Sequence, residues 1–262
     1  MIKKITSTLL CLGTLVYADS GSSSQLAHKL TNPVANMTSL PFQYNYASGV
    51  GGHNSDQTII NFQPVIPIHI NSEWNLITRI VMPIVKQSNV TAVGENQTFI
   101  GDTLFSLFMS PVKPVDGWII GVGPAINAPT STNIQAAPAE WSVGPTAVLL
   151  HMKDGLTYGL LANALFSVSN ADNSDVVRNT FIQPFISYTT SNSVTYALNS
   201  ETTYDLASSK SDIPFNLTVA KLVKFGKLPV SLGAGIKYWA KSDISKADNF
   251  GVRATVTFIL PN

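Results

Sequence analysis

The stretch Phe250-Gly251-Val252-Arg253-Ala254-Thr255-Val256-Thr257-Phe258-Ile259-Leu260 decides the fold. Phe250, Val252, Ala254, Val256, Phe258 and Leu260 are apolar, while Gly251, Arg253, Thr255 and Thr257 occupy the positions between them. A hydrophobic period of two sustained over such a length is the signature of a strand, not a helix. The alternation recurs in Ile60 to Ile70, where Ile60, Phe62, Pro64, Ile66, Ile68 and Ile70 share one face and Asn61, Gln63 and His69 the other. In Trp74 to Ile84, Trp74, Leu76, Ile80, Met82 and Ile84 line up with Thr78, opposite Asn75 and Arg79. Strands of soluble sandwiches run about 5–6 residues, whereas a tilted membrane-spanning strand needs about 9–11. These segments are of the second kind.

Twelve such segments are predicted, at 40–50, 57–70, 74–85, 99–110, 117–128, 141–151, 155–168, 179–190, 193–203, 214–223, 228–240 and 249–260. Tight connections at Asn71-Ser72-Glu73, Lys153-Asp154 and Ser191-Asn192, with somewhat longer ones at Lys224 to Lys227 and Pro111 to Asp116, alternate with polar loops. The predicted loops are 86–98, 129–140, 169–178, 204–213 and 241–248. Short turns on one side and long loops on the other are what an outer-membrane barrel requires. Aromatic residues gather near segment ends, at Trp74, Trp118, Trp141, Tyr188, Tyr204 and Tyr238, as interfacial girdles would demand. The expectation is an all-β chain: a single transmembrane antiparallel up-and-down β-barrel of about 12 strands, with a short N-terminal periplasmic or plug segment and both termini in the periplasm.

Composition agrees. Hydrophobic residues make up 45% of the chain and charged ones only 12%, against about 25% charged in ordinary soluble domains. After the first residues no apolar run reaches the length of a membrane helix, which argues against a helical inner-membrane protein. Lys3 and Lys4, the apolar stretch Ile5 to Val16 and the end Val16-Tyr17-Ala18 read as a signal peptide at 1–18, cut after Ala18. Cys11, the one cysteine, lies within it, and Leu10 before it is bulkier than a lipidation motif accepts. The mature chain then has no thiol or disulfide chemistry. It keeps 14 basic residues against 15 acidic, a balance that gives no reason to expect nucleic acid.

Residues 19–39 form a leader before the barrel at 40–262. Its Ser20 to Ser24 run is expected to be flexible. Leu26, Ala27 and Leu30 can form the apolar face of a short helix that stops before Pro33. Such a segment either plugs the lumen from the periplasmic side or is a leader without a gate. Proline is the discordant feature: Pro64, Pro67, Pro83, Pro124, Pro145 and Pro184 fall inside predicted strands, where each removes a ladder donor. Local bulges or irregular pairing are expected there.

Several strings are distinctive: Leu40-Pro41-Phe42-Gln43-Tyr44, Gln63-Pro64-Val65-Ile66-Pro67-Ile68, Gly121-Val122-Gly123-Pro124, Val143-Gly144-Pro145-Thr146-Ala147-Val148, Gln183-Pro184-Phe185-Ile186-Ser187-Tyr188 and Leu198-Asn199-Ser200-Glu201-Thr202-Thr203-Tyr204. Through them the chain resembles the outer-membrane barrel family labelled for the MetA pathway of phenol degradation, whose members also carry transporter and neuromedin U labels. The resemblance spans nearly all of the mature chain. It implies that the in-strand prolines are family features, that there is no catalytic motif, and that the role is passage of small, often hydrophobic compounds across the outer membrane. The end Phe258-Ile259-Leu260-Pro261-Asn262 departs from the terminal aromatic residue common in such barrels.

Carried around the barrel, the alternation gives a lumen set: Asn61, Gln63, His69, Asn75, Arg79, Asp102, Asn163, Gln183, Asn199, Glu201, Lys237 and Arg253. A charge on the lipid face near the midplane costs about 2–4 kcal/mol, so Arg79, Asp102, Glu201, Lys237 and Arg253 are expected to point inward, all but Arg79 towards the outer ends of their strands. They form either a selectivity constriction or a neutralising network that braces the barrel. Gln63, Asn163 and Asn199 join them as solute-path candidates. Gly121, Gly123, Gly144, Gly159, Gly233 and Gly235 either leave room for a solute or allow close backbone packing. His53-Asn54-Ser55 is the nearest approach to a hydrolase constellation, but the spacing supplies no oriented base. No cofactor or metal motif is present, and Asp172-Asn173-Ser174-Asp175, though oxygen-rich, reads as a solvated loop.

The function expected is therefore a channel for passive movement of small, often hydrophobic or aromatic molecules. A closed structural or surface-interaction barrel is the alternative, and an outer-membrane lipid hydrolase a third. Expected partners are outer-membrane lipids, the barrel-assembly machinery and a small-molecule solute.

Overall fold

A computed structural model describes residues 20–52, 55–90, 92–133, 140–168 and 178–260. The expected signal peptide, His53, Asn54 and the Asp172–Asp175 run lie outside the described residues. A helix, α1 (Ser20–Lys29), leads into twelve antiparallel strands. These are β1 (Ser39–Ser48), β2 (Asp56–Phe62 and Val65–His69), β3 (Trp74–Ser88), β4 (Asn96–Ile100 and Thr103–Pro111), β5 (Trp118–Ala128) and β6 (Ser142–Lys153). The second half comprises β7 (Leu156–Ser167), β8 (Arg178–Thr189), β9 (Val194–Ser200 and Thr202–Asp205), β10 (Lys210–Phe225), β11 (Leu228–Ser242) and β12 (Phe250–Ile259). Each strand pairs with its neighbours in sequence, and β1 closes the ring on β12 from Ser39–Ile259 to Ala47–Gly251. Closure leaves no open edge whose backbone groups would go unpaired in lipid.

The alternation sorts as expected. Along β12, Gly251 and Arg253 are buried within the barrel while Phe250 and Val252 are exposed on its outside. Phe42, Leu198, Leu217 and Ile236 extend the apolar outer band. Trp74, Trp118, Tyr158 and Tyr188 lie toward the end that carries both termini, and Trp141, Tyr204, Tyr238 and Phe250 toward the distal end. The hairpin turns at the terminal end are tight where Asp-Gly pairs allow it. Asp116-Gly117 and Asp154-Gly155 all have positive φ, as a two-residue turn matched to strand twist demands. The first explains the long turn predicted at Pro111 to Asp116: Val115 bridges back to Trp118 across it.

Two predicted loops are shorter than expected. The loop at 204–213 shrinks to residues 206–209, because β9 runs to Asp205 and β10 begins at Lys210. Asp205 holds that turn by accepting hydrogen bonds from the backbone N–H groups of Ala207 (2.8 Å) and Ser208 (3.3 Å). The loop at 86–98 likewise yields to β3, which reaches Ser88, and to β4, which starts at Asn96. Ser20 to Ser24, expected to be flexible, belongs to α1.

Five of the six in-strand prolines fall where a ladder breaks, while Pro67 pairs with Ile77 in an unbroken stretch. The pairing of β8 with β9 runs from Asn179–Asp205 to Ile182–Thr202 and resumes at Phe185–Asn199, so Gln183 and Pro184 face Glu201 and Ser200 without ladder partners. Gln63-Pro64 interrupts β2, and Pro83 stands at the break in β4, where its carbonyl accepts from the Gly101 N–H at 2.8 Å. Pro124 and Pro145 are opposite each other across β5 and β6. On their other flanks the pairing skips Leu107-Phe108 and Ala164-Leu165. The glycine before each proline lets the strands close in: a Cβ on Gly123 would overlap the carbonyl oxygen of Leu107, and one on Gly144 that of Ala164. Proline thus sits where its missing N–H orphans nothing.

Candidate lumen site

Inside the barrel, Val65, Ile77, Phe108, Val148, Leu150 and Leu161 pack as one buried apolar cluster, joined by Ile119, Met152, Phe181 and Phe185. Phe108 and Leu150 are 0% exposed, so side chains fill the lumen at this cluster. Val34, from the segment after α1, is part of the same cluster.

A second cluster is polar. Arg253 reaches Glu201 with two guanidinium N–H groups, at 2.8 and 2.7 Å, and donates through Nε to Asn45 Oδ1 at 2.8 Å. Lys237 lies 3.6 Å from the same Glu201 carboxylate and over the Trp239 ring, 5.0 Å from its centre. One cluster therefore ties together β1, β9, β11 and β12. Glu201 stands at the break in β9, on the inward face that alternation from Asn199 gives it, and the Pro214 carbonyl accepts its backbone N–H at 3.2 Å. Nearer the termini, Arg79 donates to Gln63 Oε1 at 2.9 Å, and Gln43 Oε1 accepts from Asn61 and Gln63 at 3.3 Å each.

Of the predicted site residues, the structure brings together Glu201, Lys237 and Arg253, with Arg79 and Gln63 as a second pair. Asn199 accepts from Asn216 at 2.8 Å beside the terminal-end cavity. Asn163 is buried on β7 opposite Thr146. Asp102 joins neither group: at the β4 break its carboxylate accepts from the Ser131 N–H at 3.1 Å and from Asn127 at 3.4 Å, holding the start of the following loop. Gln43, Asn45 and Trp239 were missed, although the alternation that placed Arg253 inward, applied to β1 and β11, turns all three inward as well.

At the terminal end a cavity of about 300 Å³ lies between the leader and the wall. Leader residues Ala27, Leu30, Thr31 and Met37 line one side of it, and Gln63, Arg79, Phe185 and Asn199 belong to the other. The leader is fastened at several points. Thr31 and Thr157 share a hydroxyl hydrogen bond of 2.6 Å, and His28 Nε2 is 3.3 Å from the Leu156 carbonyl. Ala27, Ala35 and Met37 pack on Leu222 and Ile259.

No protein-family model matches the chain, and no curated protein matches it. Among solved structures it is similar to an outer membrane channel from Pseudomonas putida F1, with a TM-score of 0.66 and 15% identity over 86% of this chain and 96% of that one. It is also similar to a NanC porin, with a TM-score of 0.51 and 8% identity over 85% of this chain and all of the other. At such identities the likeness is one of fold: this chain has the architecture of a closed outer-membrane β-barrel.

Proposed function

We propose that the chain is a narrow outer-membrane channel for passive movement of small, largely apolar molecules, with its termini on the periplasmic side. The observation that carries this reading is the leader-covered cavity at the terminal mouth, in a lumen that holds both a buried apolar cluster and a charge-paired one. A volume of about 300 Å³ lies at the lower limit of small-molecule sites, the scale of a single-ring solute. The sequence strings resembling the phenol-degradation barrels point to the same class of solute. The chain would meet outer-membrane lipids along its apolar band and would need the barrel-assembly machinery to insert.

Refolded protein in planar bilayers and arabinose-loaded proteoliposomes, each with and without residues 20–37, tests the reading. Discrete conductance and arabinose release that rise on deletion support it. Silence from both forms, together with no entry of radiolabelled toluene and with insertion verified, overturns it in favour of a closed structural barrel, a reading that the fully buried Phe108 and Leu150 favour.

A further inference from the structure

Arg79 is the unmatched charge of the lumen. The ion pairs among the described residues are Lys237–Glu201, Arg253–Glu201 and Lys241–Asp243, and none includes it. Its Nη2 donates to Gln63 Oε1 at 2.9 Å, a neutral partner that leaves most of the guanidinium N–H groups unused. Gln63 is itself held, because its amide donates to Gln43 Oε1 at 3.3 Å. The two lumen carboxylates are already committed. Glu201 serves both Arg253 and Lys237, and Asp102 accepts from the backbone of the loop after β5.

This cation lines the terminal-end cavity, on β3 opposite Val65. Polar groups of Gln63 and Asn199 line the same cavity, together with apolar side chains of Val65, Phe185, Leu30 and Met37. A charge kept from water costs free energy until an opposite charge meets it. A carboxylate suits Arg79 best, since a planar guanidinium can grip both of its oxygens. The apolar lining then selects what carries the carboxylate. A hydrocarbon body gains by leaving water for these side chains, and a bare inorganic anion does not.

We propose that the terminal-end cavity is a seat for a small organic acid, its carboxylate on Arg79 and its apolar body against Val65, Phe185 and the leader. Gln63 acts as a positioning residue for the guanidinium. At about 300 Å³ the cavity has room for a single-ring acid. As a station in transport the seat rests on the reading of the chain as a channel. It narrows the solute class to amphipathic monocarboxylates in place of neutral hydrocarbons.

The test is fluorine NMR on the refolded protein in detergent micelles at neutral pH, with para-fluorobenzoate as the probe and para-fluorobenzyl alcohol as its uncharged match. Empty micelles set the background for both. The acid should bind saturably and about tenfold more tightly than the alcohol, the margin of a hydrogen-bonded charge. Arg79→Gln should weaken the acid about tenfold or more and leave the alcohol within about twofold. Lys86→Gln, which removes an exposed cation from the outer face of the same strand, should change neither. Gln63→Glu supplies a carboxylate from the wall itself and should displace the acid while keeping the guanidinium, which tests the seat even if Arg79→Gln fails to fold. The heat-dependent gel-mobility shift verifies each variant's folding. Equal binding of acid and alcohol, or acid binding unmoved by both Arg79→Gln and Gln63→Glu, overturns the seat, and arabinose release would still leave the channel standing. Charge-dependent binding by a protein that passes neither arabinose nor toluene supports the seat and overturns the channel, the barrel then holding its acid without passing it.

Discussion

Arg253 and Glu201 face each other as a two-pronged pair across the lumen, at 2.8 and 2.7 Å, with the arginine side chain only 3% exposed. Such a pair fixes orientation as well as charge, because the planar guanidinium matches both carboxylate oxygens. Glu201→Gln would leave Arg253 and Lys237 buried beside each other without their shared counter-charge. We expect a loss of about 3–5 kcal/mol in unfolding stability for removal of one partner of a buried pair, read from urea unfolding in lipid vesicles. Arg253→Lys should recover only part of it, since an ammonium group cannot make the bidentate contact. An unchanged midpoint for Glu201→Gln would mean that the cluster is solvated and braces nothing.

The leader should loosen when its polar fastening is cut. Thr157→Val removes the 2.6 Å contact to Thr31 while keeping side-chain volume. A net hydrogen bond is worth about 1 kcal/mol, so the undocked leader should become roughly fivefold more populated. Trypsin cleavage at Lys29 in the inserted protein measures this directly. Equal cleavage rates in the two forms would show that the apolar contacts of Ala27 and Met37 hold the leader by themselves.

Gly123→Ala is expected to be costly despite adding a single methyl group, because the new carbon overlaps the Leu107 carbonyl. Overpacking of this kind costs about 1–3 kcal/mol or more. The loss should appear as a lower temperature for the heat-dependent gel-mobility shift of the folded barrel. Gly94→Ala is the comparison, since a Cβ there meets nothing within 4 Å, although its φ of +87° adds some backbone strain.

Ile236→Arg places a charge on the outer band, where the isoleucine is 52% exposed. In a bilayer this should destabilise by about 2–4 kcal/mol if the site lies near the midplane. Comparing urea unfolding in vesicles with that in detergent micelles separates a lipid penalty from a packing one. A neutral effect in both would contradict the assignment of this face to lipid.

How much of this was legible in the sequence depends on the element. Alternation, with strand length and turn spacing, placed all twelve strands, because a strand with lipid on one face and the lumen on the other tends to a period of two. It also placed Glu201, Lys237 and Arg253 inward, although not within reach of one another: their meeting depends on register, and β9 breaks at Glu201. Asp102 stands apart from that cluster, since at the break in β4 its carboxylate accepts from the loop backbone at Ser131. The prolines looked wrong one strand at a time and become intelligible only in pairs, as with Pro124 opposite Pro145. The 206–209 turn was overestimated because Asp205 and Lys210 to Asp212 are polar enough to pass for loop.

The contacts of Ala27, Ala35 and Met37 with Ile259 carry one more consequence. Ile259 is the last residue of the last strand, and it pairs with Ser39 at the first. The leader's seat therefore does not exist until the ring has closed. Synthesised first, the leader must be the last element to settle, and a barrel stalled with β1 and β12 apart would show it as a loose tail. Protection of Lys29 from protease thus serves as a clock for the final step of assembly.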